Sequence, residues 1–162
     1  MLNSQTKLKV FTPQEAIVKA ENFCAYQERS QYEVRNKLYE WGLHQTEVEI
    51  IISELIENNF LNEERFSLSY TLGKFRIKGW GKVKIRQGLK LKRVPDKLIQ
   101  KSLQRIDPDD YIKKLDQLLD KKMTTLREND PFKRRYKLIQ YAASRGFETD
   151  LISDILKDKE LE

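Results

Sequence analysis

The chain has 162 residues, enough for one domain or a short array of helical modules, and its 39% hydrophobic and 35% charged residues leave any core thin. Its longest apolar stretch, around residues 50–52, is too short to span a bilayer, its first residues lack the apolar core of a secretory signal, and a single cysteine excludes an internal disulfide. With a net charge of +6, these features predict a soluble, cytoplasmic protein.

Nine helices are predicted in chain order from their start and stop signals. Thr12, Ser30 and Thr46 each precede a helical pattern, with a glutamate three residues later, as in a capping box. Later starts have an N-cap side chain at Asn62, Asp107 and Asp130, and Gly42, Gly79 and Gly146 mark ends. The helices are expected at residues 13–27, 31–41, 46–58, 63–77, 82–92, 95–105, 109–127, 131–145 and 149–158.

The nine helices divide into three sets of three that share one apolar pattern. The matched positions are Val34, Leu38, Leu43, Val48 and Ile52, then Ile85, Leu89, Val94, Ile99 and Leu103, then Leu138, Ala142, Phe147, Ile152 and Leu156. They recur at offsets of 51 and 53 residues with unchanged internal spacing, which is typical of a tandem array. We therefore predict an all-α fold of three tandem three-helix repeats, at residues 13–58, 62–105 and 107–158.

Four short motifs occur in order along these repeats. They are residues 29–38 (RSQYEVRNKL), 59–66 (NFLNEERF), 79–86 (GWGKVKIR) and 136–147 (YKLIQYAASRGF). The motifs resemble the signatures of the RecX family of recombinase regulatory proteins, and the resemblance covers about residues 14–157. The second repeat departs from the family pattern at Lys92-Arg93-Val94, where a glycine usually precedes the apolar residue.

The resemblance implies an elongated, curved array of modules that binds along the groove of the filament that a RecA-type recombinase forms on DNA. It implies a non-enzymatic modulator, mainly an inhibitor, of strand exchange and of the associated ATPase and coprotease activities, with effects on recombination, DNA repair and the SOS response. The expected partners are the recombinase filament and single- and double-stranded DNA bound without sequence preference. We expect no membrane partner, and a monomeric chain.

The positive charge is concentrated in the second repeat. Residues 74–105 contain twelve lysines and arginines and one acid, whereas residues 13–64 contain four lysines and arginines and eleven acids. Helical spacing predicts a ridge of Lys82, Arg86, Lys90 and Arg93, with Lys84 and Lys92 beside it. We interpret these six residues as a contact with DNA phosphates or with an acidic partner groove, and the alternative is a solvated basic face.

A second basic cluster, Lys133, Arg134 and Arg135, occupies the corresponding place in the third repeat. It is a further candidate for contact with DNA or the filament, although acidic residues surround it in the sequence. The same two interpretations therefore apply to it, and the sequence does not choose between them.

Other conspicuous residues have simpler structural explanations. Trp80 suits packing over a helix junction better than base stacking, and Trp41 suits a half-exposed position over a turn. His44 has no neighbouring ligand or general-base partner, Cys24 lies on an apolar helix face, and Asp107 is a helix cap. We therefore predict no catalytic residue, no cofactor and no metal.

Two other functions are compatible with paired short helices. The first is a helix-turn-helix DNA-binding protein, but the second helices of the pairs begin with Glu47, Asp96 and Asp150, which phosphates would repel. The second is a helical-repeat scaffold with protein partners only, for which binding would be insensitive to salt.

Overall fold

The computed structural model describes residues 10–160, and within that range it consists of nine α-helices without a strand. The helices are α1 (Pro13–Tyr26), α2 (Gln31–Glu40), α3 (Gln45–Glu57), α4 (Glu63–Arg76), α5 (Lys82–Leu91), α6 (Asp96–Leu103), α7 (Pro108–Thr125), α8 (Pro131–Ser144) and α9 (Thr149–Glu160). Each predicted helix is present, with both ends within two residues of the prediction. None of the helices in this range has the length and apolar character needed to cross a membrane.

Local capping determines where most of the helices begin. The Thr12 hydroxyl accepts a hydrogen bond from the backbone N–H of Glu15 at 3.3 Å, and the Ser30 hydroxyl accepts one from Glu33 at 3.1 Å. Asn62, Asp107 and Asp130 likewise cap α4, α7 and α8 through their side-chain oxygens. These contacts satisfy N–H groups that have no partner inside the helix, as the sequence predicted.

The prediction that Thr46 caps α3 is wrong. The helix begins at Gln45, so His44 occupies the N-cap position. The carboxylate of Glu47 accepts the His44 backbone N–H at 3.5 Å. Because Glu47 is three residues from His44, it makes one half of a capping box, two residues earlier than the predicted cap at Thr46.

The first of two structural units contains residues 10–67 together with Lys92–Val94. Its core is formed by apolar side chains of α1, α2 and α3 and of the turns that follow them: Ala16, Ala20, Cys24, Val34, Leu38, Leu43, Val48, Ile51, Ile52, Leu55 and Leu61. Cys24 is buried in this core, as predicted. Trp41 is half-buried with its ring edge-on to Phe11 at 6.0 Å, which confirms its position over the turn.

The second unit contains Leu68–Leu91 and the described residues from Pro95 onward. Three buried rings run through it, with 5.9 Å between the centroids of Phe75 and Tyr111 and 5.2 Å between those of Tyr111 and Phe147. The buried hydroxyls of Thr71 and Ser102 are hydrogen-bonded to each other at 3.0 Å. These polar groups are therefore accommodated in the core without the cost of an unmade hydrogen bond.

The three repeats predicted from the apolar pattern are confirmed by burial. All fifteen matched positions are buried, and none is more than 5% exposed. In each repeat the first two positions lie on the second helix, the third follows the turn, and the last two lie on the third helix. The same sequence spacing therefore produces the same packing arrangement three times.

The turn between the second and third helices of each repeat uses left-handed backbone. The residues concerned are Gly42, Arg93 and Gly146, with φ values of 88°, 57° and 96°. Arg93 therefore adopts the conformation that glycine has in the other two repeats, although a Cβ atom there costs about 1 kcal/mol. The departure of the second repeat from the family pattern changes the residue and not the turn.

The N-terminus of α5 is capped by backbone of the third repeat. The N–H of Gly81 donates to the carbonyl of Arg145 at 2.8 Å, and the N–H of Val83 donates to the carbonyl of Gly146 at 2.9 Å. These partners replace the side-chain cap found at α1 and α2. As a result, the basic helix α5 is positioned by residues that lie more than sixty places further along the chain.

Candidate functional site

Three of the predicted basic residues form a ridge on α5. Lys82, Arg86 and Lys90 follow one another at intervals of four residues, so they lie within about 80° of each other around the helix axis. Ile85 and Leu89 are fully buried beside them and fix the orientation of the helix. We call Lys82, Arg86 and Lys90 the α5 ridge, and the geometry is that expected for a row of phosphate contacts.

The ends of the α5 ridge are held differently. The backbone N–H of Lys82 donates to the Tyr111 hydroxyl at 3.0 Å, and its ammonium lies 4.8 Å from the centroid of the Tyr111 ring. The ammonium of Lys90 is 3.8 Å from Asp96, and both side chains are exposed. An exposed ion pair at this distance contributes little, so Lys90 can exchange Asp96 for another anion.

The Tyr111 hydroxyl beneath Lys82 is part of a buried hydrogen-bond relay. It accepts from Lys82 and donates to the carboxylate of Glu148. Burial, followed by the hydrogen bond to Glu148, raises the pKa of Tyr111 well above its ordinary value of about 10. The hydroxyl therefore stays protonated and fixes the first turn of α5 to the third repeat.

Lys84 does not lie beside the α5 ridge, contrary to the sequence prediction. Two residues along a helix correspond to a rotation of about 200°, which places Lys84 on the far side from Lys82. Its ammonium is 4.6 Å from the ring centroid of Trp80, and that of Lys74 is 4.7 Å from the same centroid. Trp80 is half-buried and edge-on to Tyr70 at 6.4 Å, which confirms its predicted packing role.

Lys92 and Arg93 lie beyond the end of α5 and belong to the first unit. The ammonium of Lys92 forms an ion pair with Glu33 at 2.9 Å. The guanidinium of Arg93 lies 4.6 Å from the centroid of the Tyr32 ring. Both cations therefore have partners on α2, and they contact an outside anion only in competition with them.

The basic cluster of the third repeat is also divided by the structure. Lys133 is exposed, whereas the half-buried guanidinium of Arg134 donates to the carbonyls of Met123 at 2.8 Å and Leu126 at 3.1 Å. Arg134 thus satisfies carbonyls at the end of α7, where cations stabilise a helix. Arg135 is half-buried and lines a cavity of about 180 Å³.

Two exposed aromatic residues beside this cluster were missed in the sequence analysis. Phe132 is 87% exposed and Tyr136 is 61% exposed, and they flank the three basic residues on α8. The signal that identifies them is the alternation of aromatic and basic residues in the segment 132–137, FKRRYK. These rings belong among the candidate contact residues.

Groups that could support catalysis or bind a metal have structural roles in the described part of the chain. No group of three or more His, Cys, Asp or Glu residues suited to a metal ion occurs there. Burial raises the pKa of the Cys24 thiol to about 11, so it is not a reactive thiolate at neutral pH. Asp107 caps α7, and His44 occupies the N-cap position of α3, where its backbone N–H donates to Glu47.

Comparison with known proteins assigns all three repeats to domains of one family. Family models described as the first, second and third three-helix domains of RecX match residues 16–55, 62–103 and 109–156. The chain is 32% identical to the regulatory protein RecX of Haemophilus influenzae strain PittGG over 142 residues, which cover 87% of this chain and 92% of the relative. It is 30% identical to the regulatory protein RecX of Clostridium botulinum strain Eklund 17B, with 97% of this chain and 76% of the relative covered. The crystal structure of RecX from Lactobacillus salivarius superimposes with a TM-score of 0.84 at 23% identity, covering 93% of this chain and 97% of that one.

Proposed function

The chain belongs to the RecX family of regulatory proteins, and from this premise we propose that it modulates a RecA-type recombinase, mainly as an inhibitor. In this proposal the chain binds the recombinase–DNA filament along its groove, and it contacts single- and double-stranded DNA without sequence preference. It acts by binding and not by catalysis. Its monomeric state and cytoplasmic location stay predictions, and sedimentation analysis tests the first.

The observation that carries the proposal is the α5 ridge. Lys82, Arg86 and Lys90 form one row, and Asp96 at 3.8 Å is the one acid paired with the row in the described part of the chain. Three cations held side by side repel each other unless an anion lies against them. A row of DNA phosphates or an acidic protein groove supplies that anion, and release of counterions makes the binding strong at low salt.

The repeated architecture supports contact with an extended lattice. Each repeat presents the same arrangement of helices around the same five buried positions. Several weak contacts made by linked modules give a high overall affinity without a deep pocket. A recombinase filament offers such a lattice, since its protomers repeat along the DNA.

The direct test measures ATP hydrolysis by a RecA-type recombinase on single-stranded DNA, with the chain added up to saturation. We expect the wild-type chain to lower the rate of hydrolysis. The double variant Lys82→Glu/Arg86→Glu should require a higher concentration for the same effect, because it places two carboxylates in the α5 ridge. Hydrolysis that does not change at saturating wild-type chain would rule out the proposal.

A matched control separates the position of the charges from their number. The variant Lys97→Glu/Lys113→Glu changes the net charge by the same amount at two exposed sites on α6 and α7. We expect it to keep most of the wild-type effect. If both double variants lose the effect equally, the overall charge matters and the α5 ridge is not the contact surface.

The alternative of a sequence-specific helix-turn-helix protein is disfavoured by the acidic residues at the start of the second helix in each pair. Glu47, Asp96 and Asp150 lie in the first turns of α3, α6 and α9, where such proteins present base-reading residues. Competition between one DNA site and random duplex tests it, since a sequence reader prefers its own site by a large factor. Filament binding that does not depend on salt would instead favour a scaffold with protein partners only.

A further inference from the structure

The two exposed aromatic rings of α8 are not used by the core. The buried side of α8 is formed by Leu138 and Ala142, whereas Phe132 and Tyr136 project into solvent. Because they are four residues apart, both rings lie on one side of the helix, about 6 Å apart along its axis. Two large rings placed in this way form an exposed aromatic platform on α8.

The charges around the platform favour a polyanionic ligand. Helix α8 contains four lysines and arginines and no acid. Lys133 lies next to Phe132, is exposed, and has no carboxylate partner within residues 10–160. Arg134 is occupied by carbonyls at the end of α7, and Lys137 is paired with Glu128 at 2.8 Å. Arg135 is half-buried and lines a cavity. Lys133 is therefore an exposed cation that a ligand on the two rings can reach without displacing a carboxylate.

The orientation of Tyr136 is fixed by its own helix. The side-chain amide of Gln140 donates to the Tyr136 hydroxyl at 2.8 Å. Since the hydroxyl already has this partner, a ligand would contact Tyr136 mainly through the face of its ring. A ring face binds another flat ring by stacking, and nucleobases are flat rings that carry phosphates beside them.

We propose that Phe132, Tyr136 and Lys133 form a stacking site for single-stranded nucleic acid. Successive bases of an extended strand stack on the two rings, and the ammonium of Lys133 binds an adjacent phosphate. A duplex keeps its base faces inside the helix, so the site distinguishes single strands from duplex. This site deepens the DNA contact in the proposed function, and it differs from the α5 ridge, which recognises charge.

The test measures the binding of a fluorescently labelled oligothymidylate, and of a labelled duplex of equal length, without any recombinase. For Phe132→Ala/Tyr136→Ala we expect the Kd for the single strand to rise about tenfold and the Kd for the duplex to stay within about twofold. Phe132→Tyr/Tyr136→Phe keeps both rings and should bind the single strand like the wild type. Circular dichroism checks that each variant keeps its helix content.

Tyr26→Ala is the matched control, because Tyr26 is 84% exposed at the end of α1 in the acidic first third of the chain. We expect it to change neither affinity. The loss of single-strand affinity in Phe132→Ala/Tyr136→Ala should persist when the salt concentration is raised. The loss caused by Lys82→Glu/Arg86→Glu should become smaller. This comparison separates stacking from charge.

An unchanged affinity for the single strand in Phe132→Ala/Tyr136→Ala overturns the stacking site, and so does an equal loss for the duplex. If that variant keeps its DNA affinity but no longer affects the recombinase, the platform is a contact for an apolar protein segment and the stacking site is also overturned. The proposed function is tested separately by ATP hydrolysis with the wild-type chain, so failure of one does not imply failure of the other.

Discussion

Gly81 and Gly146 pack with their backbones in direct contact, so that a Cβ atom added to Gly81 would lie 2.3 Å from the carbonyl oxygen of Gly146. The contact brings the start of α5 against the turn between α8 and α9. It allows the backbone N–H groups of Gly81 and Val83 to reach the carbonyls of Arg145 and Gly146. This backbone contact, which leaves no room for a side chain, therefore helps to position the start of α5, together with the buried Ile85 and Leu89.

Substitution of Gly146 by alanine should destabilise the chain. The new Cβ would lie 2.3 Å from the Cβ of Lys84, and the residue has a φ of 96°, where non-glycine residues are strained. Strain and overpacking together should lower the free energy of unfolding by about 3 kcal/mol. Urea denaturation followed by circular dichroism measures this change.

Gly73→Ala is the control for that experiment. Gly73 lies within α4, and its added Cβ would meet no atom within 4 Å. Alanine has the higher helix propensity, so we expect a stabilisation of about 0.5–1 kcal/mol. Equal losses of stability for Gly73→Ala and Gly146→Ala would show that the close packing at Gly146 is not the cause.

Tyr111→Phe should remove the relay that holds the first turn of α5. The variant leaves the carboxylate of Glu148 and the N–H of Lys82 without their shared hydroxyl partner. An unmade hydrogen bond at this buried hydroxyl position costs about 1–3 kcal/mol, which thermal or urea unfolding detects. A neutral effect would show that water replaces the hydroxyl.

The Tyr111 relay also predicts how the free energy of unfolding changes with pH. The pKa of Tyr111 is raised in the folded chain, so the hydroxyl contributes fully below the unfolded value of about 10. Above that pH the unfolded chain releases the proton and the folded chain retains it, so stability falls as pH rises. The stability difference between wild type and Tyr111→Phe should therefore shrink from about pH 9 to about pH 11, and a difference that grows would contradict the relay.

The left-handed backbone at Arg93 predicts an order of stability for two variants. Arg93→Gly and Arg93→Val both remove the guanidinium that lies over Tyr32, so that loss is common to them. Valine at a φ of 57° is strained and glycine is not, so the glycine variant should be more stable by at least about 1 kcal/mol. Equal stabilities would mean that the turn has changed conformation.

The buried thiol of Cys24 should be protected in the folded chain. Burial raises its pKa to about 11, so the thiolate is a small fraction at pH 8 and the sulfur is inaccessible. Ellman's reagent should react slowly with the native chain and rapidly in denaturant. Fast reaction of the native chain would show that the core around α1 opens readily.

The helices and their grouping were predictable because their determinants are local in the sequence. Thr12, Ser30 and Asp107 cap the helices that follow them within three residues, and the apolar spacing repeats within each set of helices. The error at Thr46 has the same origin, since His44 and Thr46 are polar residues only two positions apart and either one can precede the helix. Local signals thus define each element with an uncertainty of one or two residues.

The candidate site was predictable in part. The row of Lys82, Arg86 and Lys90 follows from their spacing of four residues. The same helix geometry places Lys84 on another side of α5, and the prediction that Lys84 lies beside the row did not take this rotation into account. The partners of Arg134 did not follow from any local pattern, because they are carbonyls released where α7 ends. Charge in the sequence therefore overstated the number of cations that an outside ligand can reach.

The helices, their grouping into three repeats, the buried positions and the concentration of positive charge are encoded locally, because capping and apolar periodicity act over a few residues. Which polar groups already have partners depends on contacts between residues that are distant in the chain. Glu148 meets Tyr111 across 37 positions of the chain, and Gly146 meets Gly81 across more than sixty. Such contacts depend on how packed helices orient their backbones. They could not be predicted from local patterns because no short stretch of sequence contains both partners.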